Sequence, residues 1–311
     1  MNMKNTIRRK IEGLVAAPFS PLDMNGQVSL DKIPVYCELL QKNGVNGAFI
    51  NGSSGEGVSL SQKEKRQITE QWVKTAKGSS LKVINLLGGT SYSECIDNAL
   101  HSVECGVDAV AILAPYYFKP GDAKALVDFC AKIAEAVPET PVYFYHIPVL
   151  SGCSVPMIEF LKEADKAIPN LAGIKYTHED FMDFMSCIHF KDGKYDMLWG
   201  RDENLLASLI VGAKGTVGST YNYAAPLYLR MMEAFHEGDF ETARRLQQKS
   251  IDMIRLLGKY GGIATGKAYM KYIGLDLGEF RSPVRNMSEE AYRDFCSDVD
   301  GLAMNQWFSK K

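Results

Sequence analysis

The chain has 311 residues, of which 46% are apolar and 23% are charged, as in an ordinary globular protein that can bury a large core. Its formal net charge of −2 gives no electrostatic reason to expect a nucleic acid or an anionic membrane as a partner. Seven scattered cysteines without a CxxC pair favour unpaired thiols in a reducing compartment, and five histidines without HxH or HExxH spacing argue against a histidine-based metal site.

The N-terminal segment, MNMKNTIRRKIEG, is polar and basic. No apolar stretch follows it, which argues against a secretory signal. The sequence also contains no run of about 18 apolar residues of the kind that spans a membrane. The cytoplasm is therefore the expected location.

Short apolar runs alternate with amphipathic stretches along the first 220 or so residues, and they predict eight strands. Continuous apolar runs of this length are typical of strands that are covered on both faces, as in a parallel sheet. The predicted strands are Leu14 to Pro18, Gly47 to Asn51, Leu81 to Leu87, Ala109 to Ala114, Val142 to His146, Ala172 to Tyr176, Asp196 to Trp199 and Gly215 to Gly218.

The stretches between these strands predict helices. Ser61 and Glu64 form a capping-box pattern, and Asp122 is a candidate N-cap for the helix after the fourth strand. A further apolar stripe at helical spacing consists of Ile96, Ala99, Leu100 and Val103. From Tyr223 onward the pattern is almost wholly helical.

Eight strand–helix units in this length predict a (β/α)₈ TIM barrel with a C-terminal helical extension. We expect the barrel, with the active site, over residues 1–222 and the extension over residues 223–311, packed on the barrel without a flexible linker. The alternative is an open doubly wound sheet, but the first strand–helix turn lacks the G-x-G-x-x-G pattern that would favour it.

Polar side chains follow five of the predicted strands at the end where barrel enzymes build their sites. Each of these groups, taken singly, has an ordinary structural explanation. Because all five would face the same rim, a shared pocket is a better explanation than coincidence. The groups are Gly52-Ser53-Ser54-Gly55-Glu56-Gly57, Tyr145-His146-Ile147-Pro148, Lys175, Gly200-Arg201-Asp202-Glu203 and Gly218-Ser219-Thr220-Tyr221-Asn222.

Lys175 and Tyr145 lie at the ends of neighbouring predicted strands. Poor solvation at a buried strand end disfavours the ammonium form, so we expect a lowered pKa for Lys175. A neutral amine on a rigid strand is a nucleophile for carbonyl carbons, and a nearby phenol can move protons. This pair predicts Schiff-base chemistry.

Three motifs resemble those of the pyruvate-dependent class I aldolases, the family that includes dihydrodipicolinate synthase and N-acetylneuraminate lyase. They are Gly52-Ser53-Ser54-Gly55-Glu56, Tyr145-x-x-Pro148 and Gly173-Ile174-Lys175-Tyr176-Thr177. The stretch from His146 to Gly152 is similar to the lyase branch, since the arginine that the synthase branch carries after the proline is absent. Two departures are Phe49, where some lyases have tyrosine, and Ser54, where threonine is usual.

The resemblance implies reversible cleavage of N-acetylneuraminate to N-acetylmannosamine and pyruvate. Lys175 would form the Schiff base and Tyr145 would move protons, with Ser53 or Ser54 and Tyr117 of a neighbouring subunit as a hydroxyl relay. Ser53 and Ser54 would hold the carboxylate of the keto acid. The sugar chain would be bound by Thr177, Gly200, Asp202, Glu203 and Ser219.

The same resemblance implies a homotetramer that needs neither a metal nor an organic cofactor, because the lysine imine activates the substrate. Its partners would be the small molecules sialic acid, pyruvate and N-acetylmannosamine. Three alternatives stay open: a sister aldolase that acts on a 2-keto-3-deoxy sugar acid, a dihydrodipicolinate synthase-like condensation, and a non-catalytic protein that binds a keto acid or sialic acid.

Overall fold

A computed structural model describes residues 10–311 of the chain. Its eight parallel strands follow one another in chain order around a closed barrel, in which β8 pairs with β1. Closure confirms the predicted (β/α)₈ barrel, and the open doubly wound sheet is excluded because it would leave two strand edges unpaired. The strands are β1 (Gly13–Ala16), β2 (Gly47–Ile50), β3 (Lys82–Leu86), β4 (Ala109–Leu113), β5 (Val142–His146), β6 (Leu171–Tyr176), β7 (Asp196–Trp199) and β8 (Gly215–Gly218).

Helices separate the strands and continue beyond the last one. They are α1 (Lys32–Lys42), α2 (Gln62–Ala76), α3 (Tyr92–Cys105), α4 (Ala123–Ala134), α5 (Pro148–Ser151), α6 (Met157–Ala167), α7 (Phe181–His189), α8 (Leu205–Ile210), α9 (Tyr221–His236), α10 (Phe240–Lys259), α11 (Ala264–Tyr272) and α12 (Glu289–Gly301). Short 3₁₀ turns occupy Gly57–Ser59, Asp202–Asn204 and Asn305–Trp307.

The strands are buried on both faces, as their continuous apolar runs predict. Side chains that alternate along each strand form two separate clusters. One fills the barrel and includes Val15, Phe49, Ile84, Leu198 and Val217. The other packs the outside of the barrel against the helices and continues into the C-terminal extension.

Two predicted helix starts are confirmed, and one predicted helix face is wrong. Ser61 and Glu64 form the capping box of α2, and Asp122 caps α4 through the backbone N–H of Ala125. In α3, however, Leu100 and Val103 are 45% and 44% exposed, and the buried face consists of Cys95, Asn98, Ala99 and Ser102. Polar Asn98 and Ser102 can be buried there because the Asn98 side chain donates to the carbonyl oxygen of Leu87, just after β3, and the Ser102 hydroxyl donates to the backbone carbonyl of Asn98 and accepts from Asn85 of β3.

The chain passes from barrel to extension inside a helix, since α9 spans the expected boundary between residues 222 and 223. The division into residues 1–222 and 223–311 stays a prediction. Ile273 to Ser288 is largely non-helical, which the apolar pattern did not indicate. All seven cysteines are unpaired, as predicted, and five of them are buried.

Residues 10–311 contain no helix whose length and apolar character would let it cross a bilayer. The polar N-terminal segment, for which we predict no secretory signal, lies mostly outside the described residues.

Candidate active site

Lys175 and Tyr145 lie directly opposite one another on β6 and β5, which are neighbouring strands of the barrel. Their side chains enter the barrel interior near the carboxyl ends of the strands, and both are almost fully buried. The Lys175 Nζ lies 3.9 Å from the centre of the Tyr145 ring and 4.1 Å from the centre of the Phe49 ring. The structure thus brings the two residues together as the sequence predicts.

Burial sets the protonation of Lys175. The side chain is 4% exposed, and loss of solvation lowers the pKa of its amine to about 7, although the carboxylate of Asp202 partly opposes this by favouring the ammonium form. The lowered pKa expected for a strand-end lysine is therefore confirmed. Near neutral pH a substantial fraction of the amine is unprotonated and able to attack a carbonyl carbon.

Burial has the opposite effect on Tyr145, because it disfavours the phenolate and raises the pKa of the phenol. The Tyr145 hydroxyl lies 3.5 Å from Ser53 Oγ, and this contact opposes the rise only in part. The group is a neutral hydroxyl at physiological pH. It can donate a proton readily, but it needs a partner base to accept one.

Ser53 and Ser54 lie in the loop between β2 and α2, beside Tyr145. Ser54 is buried and Ser53 is half-buried. Short side chains between Gly52 and Gly55 leave the backbone N–H groups open to close approach by an anion. The geometry is suited to a carboxylate placed next to the Tyr145 hydroxyl.

Asp202 is held at the rim after β7 by two hydrogen bonds to its Oδ2, from the backbone N–H of Thr220 at 3.0 Å and from the Thr220 hydroxyl at 2.7 Å. Burial raises the pKa of its carboxyl group to about 6, and these hydrogen bonds hold it below a larger rise. Its Oδ1 and Thr177 Oγ1 are buried and make no hydrogen bond of standard geometry, although the Tyr221 hydroxyl interacts with the Asp202 carboxylate and the Tyr145 hydroxyl with Thr177. Buried polar atoms of this kind can hydrogen-bond to a polyhydroxylated ligand.

Three other predicted site residues lie near Asp202 on the same rim. Gly200 packs so closely on Thr177 that a Cβ at this position would lie 2.0 Å from Thr177 Oγ1. Glu203 forms an ion pair with Arg201, 2.6 Å between the charged atoms, and is only partly buried. Ser219 is half-buried in the loop after β8.

Tyr117 is the one predicted site residue that the fold of a single chain does not bring to the others. It lies in the loop between β4 and α4 and is 80% exposed, and its ring contacts that of Phe118, which is also exposed. Its predicted role, to reach into the site of a neighbouring subunit, stays a prediction.

Two supporting residues belong to motifs that the sequence identified, but their roles were not predicted. Asn222 is fully buried and joins the loop after β8 to β1, because its side chain donates to the carbonyl oxygens of Ala17 and Ser219. His146 follows Tyr145, and burial lowers the pKa of its imidazole to about 3, so it stays neutral at physiological pH.

Two further features bear on what the site can bind. In the described part of the chain, from residue 10 onward, no three His, Cys, Asp or Glu side chains meet in a group that could hold a metal ion. A cavity of about 520 Å³ lies between α11 and α12, and none of the predicted site residues lines it. The strand-end rim therefore remains the candidate site.

Comparison with known proteins agrees with this geometry. The model of the dihydrodipicolinate synthetase family matches residues 10–301. The chain is 37% identical to N-acetylneuraminate lyase A of Xenopus laevis over 92% of its own length and 94% of that protein, and 37% identical to N-acetylneuraminate lyase of Homo sapiens over 91% and 90%. The solved structure of Proteus mirabilis N-acetylneuraminate lyase superposes with a TM-score of 0.91 at 37% identity, covering 94% of this chain and 99% of that one.

Proposed function

The chain belongs to the dihydrodipicolinate synthetase family, and we propose that it is a Schiff-base aldolase that reversibly cleaves N-acetylneuraminate to N-acetylmannosamine and pyruvate. The observation that carries the proposal is Lys175, an amine with a pKa of about 7 held over the ring of Tyr145 inside a barrel. The absence of an arginine after Pro148 and the buried carboxylate of Asp202 favour a sugar over a second carboxylate as the distal part of the substrate.

The reaction begins with carbon–nitrogen bond formation. Neutral Lys175 attacks the C2 ketone of the open-chain substrate, and loss of water gives an iminium ion. Tyr145 donates the proton that the departing hydroxyl needs. This leaves Tyr145 as a phenolate, beside the substrate carboxylate that the N–H groups of Ser53 and Ser54 hold, and the phenolate is the base for the next step.

Carbon–carbon cleavage follows because the iminium ion accepts electrons. The C3–C4 bond breaks, its electron pair enters an enamine, and the C4 hydroxyl loses its proton to Tyr145 as the aldehyde of N-acetylmannosamine forms. Protonation of the enamine at C3 and hydrolysis of the imine then release pyruvate and regenerate Lys175. These steps need no metal or organic cofactor.

Thr177, Gly200, Asp202, Glu203 and Ser219 are proposed to bind the sugar chain. Thr177 Oγ1 and Asp202 Oδ1 support this assignment, since neither makes a hydrogen bond of standard geometry within the protein and each would gain one with a substrate hydroxyl. Tyr117 of a neighbouring subunit, in a homotetramer, is proposed to complete the proton relay through Ser53 or Ser54. The homotetramer and a cytoplasmic location are part of the same proposal.

Trapping with borohydride tests the proposal. The protein is incubated with N-acetylneuraminate alone, reduced, digested and mapped by mass spectrometry. We expect a reduced pyruvyl group on Lys175, which requires both imine formation and cleavage of the carbon–carbon bond, and no adduct in Lys175→Ala.

Lys65 and Lys267 provide internal controls, because both are buried and burial lowers the pKa of each. An adduct on either of them would show that a lowered pKa alone selects the site. If pyruvate traps on Lys175 but N-acetylneuraminate does not, the substrate is a different keto acid. If neither traps, the protein binds without catalysis.

A further inference from the structure

The loop that carries Ser53 and Ser54 has a backbone that few sequences adopt. Asn51 and Glu56, at its two ends, have left-handed φ angles of 56° each. Gly57 packs so closely that a Cβ there would lie 1.9 Å from the carbonyl oxygen of Asn51. A non-glycine residue keeps a left-handed conformation only where its surroundings hold it, so the contacts at the two ends decide where the serines lie.

The first end of the loop is held by the barrel. The Asn51 side chain donates to Asn85 Oδ1 at 2.8 Å and contacts Thr69 of α2. Inside the loop, the Ser20 hydroxyl donates to the carbonyl oxygen of Gly55 at 2.5 Å. These tethers come from elements that the barrel itself supplies.

The second end is held by the C-terminal extension instead. Glu56 Oε1 accepts a hydrogen bond from Lys267 Nζ of α11 at 2.8 Å, and its Oε2 accepts one from the backbone N–H of Arg281, also at 2.8 Å. Lys267 donates in addition to the carbonyl oxygen of Glu279 at 2.9 Å. Both carboxylate oxygens of Glu56 are thus fixed by residues more than 200 positions along the chain.

Burial makes this contact unusual among the ion pairs that residues 10–311 form. The side chains of Lys267 and Glu56 are 3% and 2% exposed, and in no other of those pairs are both partners below a tenth. A buried pair loses much of its attraction to desolvation and is a weak source of stability. It constrains geometry strongly, however, because neither residue forms an ion pair with any other side chain of residues 10–311, and the backbone groups of Glu279 and Arg281 hold both in place.

We propose that Glu56 and Lys267 are a positioning pair through which the C-terminal extension holds the Ser53–Ser54 loop in the orientation that binds the keto acid. This proposal rests on the proposed function. The pair itself does not contact the substrate. It fixes the direction of the backbone N–H groups that hold the keto-acid carboxylate, and it keeps the Ser53 hydroxyl next to that of Tyr145. Its loss therefore weakens the pyruvate half of the site selectively, because Thr177 and Asp202 lie in other loops, after β6 and β7.

The test is a double variant, Glu56→Gln with Lys267→Met, which removes both charges at similar volume and leaves no uncompensated buried charge. KM for pyruvate and KM for N-acetylmannosamine are measured in the condensation direction, together with Tm. We expect KM for pyruvate to rise roughly tenfold or more while KM for N-acetylmannosamine changes by less than about twofold. A purely structural pair would lower Tm without separating the two constants.

Lys271→Met is the matched control, because Lys271 lies one turn further along α11 and contacts Glu289 and Tyr292 instead of Glu56. Both KM values should stay unchanged in it. Unchanged or equally raised KM values in the double variant would overturn the proposal.

Two safeguards keep that result interpretable. If the double variant does not fold, Glu56→Gln with Lys267→Gln, which also leaves no buried charge and keeps an acceptor for the Arg281 N–H, provides the same comparison. Failure of the unsubstituted protein to trap pyruvate on Lys175 would contradict the proposed function. A normal adduct in the unsubstituted protein together with an unchanged ratio of the two KM values in the variant would contradict only the positioning pair.

Discussion

The burial of Lys175 removes solvation from its amine and lowers the pKa of that amine, which makes it a nucleophile. Its amine lies between the rings of Phe49 and Tyr145, where water cannot solvate the ammonium form well. Asp202 is the one carboxylate that raises the pKa of this amine, and burial overcomes its effect. The balance between these two influences places the titration near neutral pH, where a nucleophilic amine is most useful.

The pH dependence of imine formation follows from this balance. We expect the rate of borohydride trapping with pyruvate to rise with pH through an inflection near pH 7, because only unprotonated Lys175 attacks. In Asp202→Asn the inflection should move to lower pH, since the lost carboxylate no longer favours the ammonium form. Pyruvate is the chosen substrate because it has no sugar chain for Asp202 to bind.

Glu203→Gln is the control for that measurement. Glu203 is adjacent to Asp202, but its charge is paired with Arg201 and it is not among the groups that shift the pKa of Lys175. The inflection in the pH dependence of trapping by Glu203→Gln should match that of the unsubstituted protein. A shift of the same size in both variants would mean that the general charge of the rim, and not Asp202, sets the titration.

At the scale of the element, the strands were predictable and one helix face was not. Each predicted strand overlaps an observed one closely, because a strand covered on both faces is a continuous apolar run with little ambiguity. The buried face of α3 was misassigned because the Asn98 amide nitrogen and the Ser102 hydroxyl find hydrogen-bond partners inside the protein. Periodicity counts apolar residues and does not detect a polar side chain that finds partners on folding.

Gly218, the last residue of β8, leaves the space that the Asp202 side chain after β7 occupies, and this contact can be tested by substitution. A Cβ at this position would lie 1.9 Å from Asp202 Oδ1 and 2.4 Å from its Cγ. Gly218→Ala must therefore displace the carboxylate, and we expect kcat/KM for N-acetylneuraminate to fall by about 100-fold. Trapping of pyruvate on Lys175 should persist, because Lys175 lies on β6.

Gly258→Ala is the matched control in α10, where a new Cβ meets nothing within 4 Å. Activity should be unchanged there, and the helix should gain up to about 1 kcal/mol of stability, since alanine is the better helix former. Loss of pyruvate trapping in Gly218→Ala would contradict the separation of the site into a keto-acid half and a sugar half.

At the scale of the whole molecule, the sequence predicted the closed barrel and the convergence of strand-end residues on one rim. That success has a physical cause, because parallel strands of a barrel place their carboxyl ends together whatever the details of packing. It did not predict the contact of Lys267 and Arg281 with Glu56. Lys267 and Arg281 are 211 and 225 residues from Glu56 along the chain. Lys267 lies in a helix whose sequence pattern shows only amphipathicity, and Arg281 lies in an irregular segment.

Tyr117 links the site to assembly, and its 80% exposure in a single chain makes the prediction testable. If it completes a neighbour's site, Lys175→Ala and Tyr117→Ala should each be nearly inactive alone and active when mixed and reassembled. A mixed pair contains one site with both residues intact, so random exchange should restore roughly a quarter of the original activity. Met182→Ala, which removes another exposed apolar side chain, should neither lose activity nor complement Lys175→Ala. No recovery after demonstrated subunit exchange would mean that Tyr117 does not act across an interface.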